Sequence, residues 1–252
     1  MSQSAISLDE SAVEPDVSHL VTEDDAPVDN LFSETLQRLL TVCLYSSWLG
    51  LNDRSFLTAA NVGVFYAVRQ PPLVPDVFLS LGVQAPQDWR DKQNRAYFVW
   101  EFGKPPDVVI EIVSNREGNE LGSKLRDYAR IGVAYYVVFD PLQQLSETLL
   151  HIYELQGNSY EAMSQTWLEK VGLGLTLWEG EFEGKQAVWL RWCDRQGEVL
   201  PTGDERASLE QHRAEQQQQR AEQAEAQLAH EQQRAQQLAE RLRALGVDPD
   251  QL

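Results

Sequence analysis

Histidine and cysteine are scarce in this 252-residue chain, at four and two. His19, His151, His212 and His230 are scattered, and Cys43 and Cys193 lie far apart. Neither set has the spacing of a zinc site, and two such cysteines make no disulfide framework. No G-x-S-x-G nucleophile elbow occurs. The stretch "GNELGSK" ending at Lys124 has glycines too close together for a phosphate loop, with Ser123 intervening before the lysine. "GLGLTLWEG" fails the dinucleotide-binding spacing in the same way. No apolar run approaches the ~20 residues needed to span a bilayer. The opening "MSQSAISLDESAVEPD" has no basic region followed by an apolar stretch, as a signal peptide would. These absences predict a cytoplasmic protein in a reducing setting, without membrane association.

Basic residues are also few. Lys and Arg total 21 against 39 Asp and Glu, for a net charge of −18. The imbalance is uneven: residues 1–30 contribute −8 and residues 204–252 contribute −4, leaving −6 for the middle of the chain. Nucleic-acid binding leans on Lys and Arg, so no global signal announces it. Only charge clustered around a groove would suffice.

Composition divides the chain into three. Residues 1–28, acidic and poor in aromatics, are expected to be a disordered tail. Residues 29–203 carry the apolar patterning of a folded domain. Residues 204–252 shift to Gln, Glu, Ala, Arg and Leu and read as a long helix. A heptad register there aligns Ala207, Ala214, Ala221, Leu228, Ala235 and Leu242, with Ala224, Leu238 and Leu245 at the second core position. Glu210, Gln217 and Glu231 interrupt that second position. The helix is either a coiled coil, pairing with a second copy or another protein through residues 204–245, or a solvated single helix.

Within the middle segment, "VDNLFSETLQRLLTVCLYSSWLG" predicts a helix capped by Asp29, Asn30 or Ser33. Its apolar stripe is Phe32, Leu36, Leu39, Leu40 and Cys43, with Glu34 on the opposite side. "FLTAANVGVFYAV" and "LVPDVFLSLGV" read as extended, and "QNRAYFVWEFGKPP" as an extra strand or a loop. "PPDVVIEIVSN" reads as a strand buried on both faces. "GNELGSKLRDYARIGV" is a helix ended by Gly132, and "AYYVVFDP" a second buried strand. Strand, helix, strand suggests a crossover unit. Short antiparallel strands follow, from "TLLHIYEL" to "AVWLRWCD". The fold class is α/β with a mixed sheet.

Glu111 stands in the middle of the buried strand, where a carboxylate is costly unless compensated. Asp76 follows Pro75 at the start of another apolar strand. Lys124 lies on the next helix. With Leu121 at 0° and about 100° per residue, Leu125 falls near 40°, Tyr128 near 340° and Lys124 near 300°, inside the apolar arc. Two carboxylates and an inward lysine are the residue types that bind Mg²⁺ (or Mn²⁺) and act on a phosphate. They also permit a structural reading, a buried Glu111–Lys124 ion pair with Asp76 as a turn residue.

The three segments "LVPDVFLSL", "PPDVVIEIVSN" and "LGSKLRDYARIGVAYYVVFDP" resemble, in that order, the Uma-two family of restriction-endonuclease-like proteins within the PD-(D/E)XK nuclease superfamily. The resemblance covers roughly residues 30–195. It implies a restriction-endonuclease-like core: a mixed four-stranded sheet flanked by helices. It implies metal-dependent endonuclease activity on nucleic acid, DNA first. Asp76 and Glu111 would hold the metal with a backbone carbonyl near Ile112, and Lys124 would assist catalysis. The superfamily's lysine two residues after the acid is missing, since Val113 stands there; the family's helix lysine matches Lys124 instead. Glu120 matches a frequently acidic position. A first-helix glutamate used by some superfamily members is not carried over to Glu34. The alternative function is a catalytically inactive nuclease-like scaffold that assembles through its C-terminal helix.

Overall fold

Asn30 opens the first helix. Its Oδ1 accepts hydrogen bonds from the N–H groups of Phe32 and Ser33, both at 2.9 Å, and so satisfies donors that a helix start leaves orphaned. The structure, a computed structural model, describes residues 30–88, 90–114 and 120–244; the expected disordered tail lies outside them. Helix α1 (Leu31–Ser47) buries Leu36, Leu39, Leu40, Cys43 and Leu44. Asn30→Ala is expected to cost about 1 kcal/mol in urea unfolding. An unchanged midpoint would show that the cap contributes nothing.

After α1 come β1 (Phe56–Ala60), β2 (Val64–Phe65), β3 (Val77–Leu81), β4 (Tyr97–Phe98), α2 (Val99–Phe102) and β5 (Val108–Ile112). A π-helical turn (Glu120–Lys124) leads into α3 (Leu125–Ile131). Then follow β6 (Tyr135–Phe139), β7 (Leu150–Gln156), β8 (Ser159–Ala162), β9 (Trp167–Leu168), β10 (Leu173–Phe182), β11 (Lys185–Cys193) and α4 (Gly203–Ala244).

The main sheet has the order β1-β3-β5-β6-β7-β8. β5 and β6 run parallel, joined through α3, and the remaining pairs are antiparallel. The crossover unit and the mixed sheet are therefore as the strand–helix–strand pattern predicts. The sheet has six strands rather than four, because β7 and β8 continue it beyond β6. "FLTAANVGVFYAV" is not one strand: Asn61, at φ 53°, separates β1 from β2. "QNRAYFVWEFGKPP" gives two-residue β4, parallel to β2, and then a helical turn. "LGLTLWEG" and "EFEG" merge into the single strand β10, which forms a long hairpin with β11.

Both sheet faces are covered, which is why the strands read as continuous apolar runs. On one face, Leu79, Ile110 and Val137 pack with α1 and with Trp189 and Trp192 of β11. On the other, Phe78, Val109, Val113, Tyr136 and Val138 pack with Tyr128 of α3. Glu111 has the parity of Val109 and Val113, so it points to the α3 face.

The chain divides into two units at Thr202 and Gly203. The second is α4, 42 residues long, whose Leu209, Leu228 and Leu238 are all exposed. Among the described residues, no helix is long and apolar enough to cross a membrane.

Candidate active site

Strand register brings two of the three candidate residues together. Val77 of β3 lies opposite Ile110 of β5, so the next antiparallel step sets Asp76 opposite Glu111. Both are buried, Asp76 at 7% and Glu111 at 1% exposure. Asp76 Oδ2 accepts the Ile112 backbone N–H at 2.6 Å, and Oδ1 accepts Gln37 Nε2 at 3.0 Å. Gln37 Oε1 in turn accepts Asn61 Nδ2 at 2.9 Å. The Asp76 carboxylate thus ties β5 to α1.

The third residue arrives from the π turn. Lys124 Nζ donates to Glu111 Oε2 at 2.9 Å and lies 3.4 Å from Glu120 Oε1. Tyr128, one turn on, donates its hydroxyl to Glu111 Oε1 at 2.8 Å. Tyr136 Oη donates to the Glu120 carbonyl at 2.9 Å, holding the turn against β6. Leu121, the 0° reference of the apolar arc, is itself 39% exposed. The turn is wound wider than an α-helix, so 100° per residue does not apply across it. Lys124 nonetheless reaches the sheet. Single π turns recur at functional sites.

The Glu111 carboxyl is pushed up to about 7: burial raises it most, Lys124 and Tyr128 offset part of the rise, and Asp76 adds to it. Burial pulls the Lys124 ammonium down, but Glu111, then Glu120 and Asp76, outweigh this and hold it above the ordinary lysine value. Burial and Glu111 raise the Tyr128 phenol well above its usual range, so it remains a hydrogen-bond donor.

Glu120 is 5% exposed, and its Oε2 is buried with no hydrogen-bond partner among the described residues. Asp76, Glu111 and Glu120 bring three carboxyl groups near the single ammonium of Lys124. Among the described residues, no three His, Cys, Asp or Glu side chains are grouped to hold an ion. Mg²⁺ is commonly held by only one or two carboxylates, with waters and substrate phosphate completing its shell. Asp76 and Glu111 fit that donor set.

Other acids have structural duties. Glu34 pairs with Arg38, which pairs with Glu183 at 2.6 Å, away from the site. Asp107 Oδ2 accepts the Leu81 N–H and pairs with Lys104. Asp140 accepts the Gln144 and Leu145 N–H groups, closing the turn after β6. Gln37 and Tyr128 were not singled out by the sequence pattern. Gln37 adjoins the α1 stripe between Leu36 and Leu40, and Tyr128 lies one turn after Lys124; a polar group on each buried arc is the signal that could have found them.

A family model described as "Uma2: Putative restriction endonuclease" matches residues 21–177. The chain belongs to the Uma2 family. The Uma2 match contains Asp76, Glu111, Glu120 and Lys124 and ends within β10, so β11 and α4 lie outside it. The chain is also similar to a solved structure described as a putative nuclease belonging to DUF820 from Anabaena variabilis ATCC 29413. The TM-score is 0.39 at 14% identity, covering 56% of this chain and 72% of that one. No curated protein matches.

Proposed function

We propose that this protein is a divalent-cation-dependent endonuclease that hydrolyses phosphodiester bonds in nucleic acid, with DNA as the first substrate to test. The observation that carries the reading is the buried pair Asp76 and Glu111, set opposite each other on neighbouring strands, with Lys124 against Glu111. A structural ion pair would need one carboxyl group for Lys124, whereas here a second buried carboxyl group lies opposite the first. Family membership points the same way.

Asp76 and Glu111 would hold Mg²⁺ or Mn²⁺, with the Ile112 carbonyl as a further ligand. The bound ion would supply Lewis acidity toward the phosphate and a lowered pKa for water. The protein's own contribution is positioning. The Ile112 N–H and Gln37 fix both oxygens of Asp76, and Tyr128 fixes Glu111. Lys124, charged and partly exposed, offers a proton-bearing group to the attacking water or to the phosphate oxygens as negative charge develops.

Calorimetric titration of Mg²⁺ and Mn²⁺ into the full chain, with and without a DNA duplex, tests this reading. Binding is expected in the parent and is lost in Glu111→Gln. Absence of binding in both conditions would overturn it.

A second role is favoured by α4. Arg206, Arg213, Arg220, Arg234 and Arg241 recur in a seven-residue frame, each directly before a core position of the heptad register. Arg206 and Arg234 lie 3.6 and 3.9 Å from Glu210 and Glu231, the acids that interrupt the second core position. In a parallel pair of copies the arginine column faces Gln211, Gln218, Glu225 and Ala239. An antiparallel pair would set arginine against arginine. We therefore propose that α4 forms a parallel two-stranded coiled coil with a second copy of the chain. Light scattering is expected to show a dimer for the parent and a monomer for Leu228→Glu with Leu238→Glu; a monomeric parent would refute the pairing.

A further inference from the structure

The buried Oε2 of Glu120 needs an explanation. A carboxylate oxygen without a donor is costly in the protein interior, and folded proteins rarely leave one so. Its companion Oε1 is the more distant of the two carboxylate oxygens near Lys124 Nζ, at 3.4 Å against 2.9 Å for Glu111 Oε2. Glu120 and Lys124 are the first and last residues of one π turn, and the Tyr136 hydroxyl anchors that turn through the Glu120 carbonyl. The two side chains therefore issue from one anchored turn, with the Lys124 ammonium within reach of both Glu111 and Glu120.

We propose that Glu120 is the alternate partner of Lys124, a positioning residue that takes over the ammonium when Glu111 is committed to a divalent cation. The inference rests on the metal-dependent reading above. Without a cation, Lys124 compensates Glu111 and leaves Glu120 half-used. Once Glu111 Oε2 is engaged elsewhere, Lys124 is repelled by the same cation and must find an anion or leave the site. Glu120 supplies one, four residues away on the same turn, with an oxygen in reserve. Lys124 thereby stays charged and inside the site. Without Glu120, the ammonium would remain on Glu111 and compete with the cation for it.

This coupling is measurable as metal affinity, independent of any cleavage. Mn²⁺ is titrated into the full chain carrying Glu120→Gln, Lys124→Met, or both, with Lys124→Gln as a second replacement should the Met variant fail to fold. Thermal unfolding of each variant without metal accompanies the titrations. Glu120→Gln alone is expected to weaken Mn²⁺ binding roughly tenfold, the usual effect of removing a group that orients a metal ligand. In the Lys124→Met background the same change should cost about threefold or less, because the competing ammonium is gone. Equal losses in both backgrounds would overturn the proposal and make Glu120 a ligand or a simple source of negative charge. Unchanged affinity with a lowered melting temperature would overturn it in favour of a structural role. A parent that binds no Mn²⁺, with or without DNA, would remove the metal reading itself, and that outcome is distinct from the other two.

Discussion

Asp76→Asn is expected to lower Mg²⁺-dependent cleavage of a DNA duplex by roughly 10³-fold, the scale of losing a group that stabilises charge at the reacting centre. The substitution is nearly isosteric, but the hydrogen bonding around Asp76 suits a carboxylate, and an amide there requires the Gln37 and Asn61 amides to turn over or sets donor against donor. Both described contacts to its carboxylate are donors: the Ile112 N–H at 2.6 Å and Gln37 Nε2 at 3.0 Å. An asparagine can offer its oxygen to one and must turn its NH₂ toward the other. The variant loses the negative charge and either turns those amides over or sets donor against donor in a buried site, at a further cost of about 1–3 kcal/mol in stability. Lys124→Met provides the contrast. It keeps both carboxylates, so metal binding should survive while cleavage falls by roughly 10²-fold. A fluorogenic duplex assay on both variants, with melting curves to confirm folding, checks the pair. Cleavage within tenfold of the parent in Asp76→Asn would sink the site assignment.

Legibility from sequence varied with how local the determinant is. Glu111 could be found because it interrupts an apolar strand, and Asp76 because it opens one, and a charge in or beside such a run is visible without knowing the fold. Their adjacency was not visible, since it depends on the antiparallel register of β3 on β5, which joins residues more than thirty positions apart. Lys124 was found by an angle computed for an α-helix. The result agrees with its position in the structure although the turn is π-wound and Leu121 faces outward. Periodicity could not reveal the winding, because a five-residue turn holds too little repeat to show its period. Gln37 went unremarked and Tyr128 was counted only as a member of the apolar arc, because each is one polar group on a helix face dominated by apolar neighbours. The sheet's extension to six strands was hidden in β7 and β8, whose half-exposed residues give a weaker pattern than β5 or β6.

Glu111 should also make stability fall as pH rises, and by an amount large for a single residue. Its carboxyl is pushed from about 4.5 in the unfolded chain up to about 7 in the native state, chiefly by burial. Between those values the folded protein keeps a proton that the unfolded chain has released. The native state binds more protons, so the stabilisation from this group is complete below pH 4.5 and is lost as pH passes through 7. A shift of this size corresponds to about 3 kcal/mol. Glu111→Gln removes the titrating group while its amide oxygen can still accept from Tyr128, and Lys124 keeps Glu120 as a neighbour. Urea unfolding at pH 5 and pH 8 should show the parent losing about 3 kcal/mol more than the variant across that interval. At pH 8 without metal the Glu111→Gln protein is therefore expected to be the more stable of the two, although it is the one expected to lose metal binding. Saturating Mg²⁺ should narrow the gap by stabilising only the parent. Identical pH slopes for the two proteins would mean that Glu111 is ionised and fully compensated by Lys124 alone. The carboxylate excess that motivates a metal at this site would then lose its energetic basis.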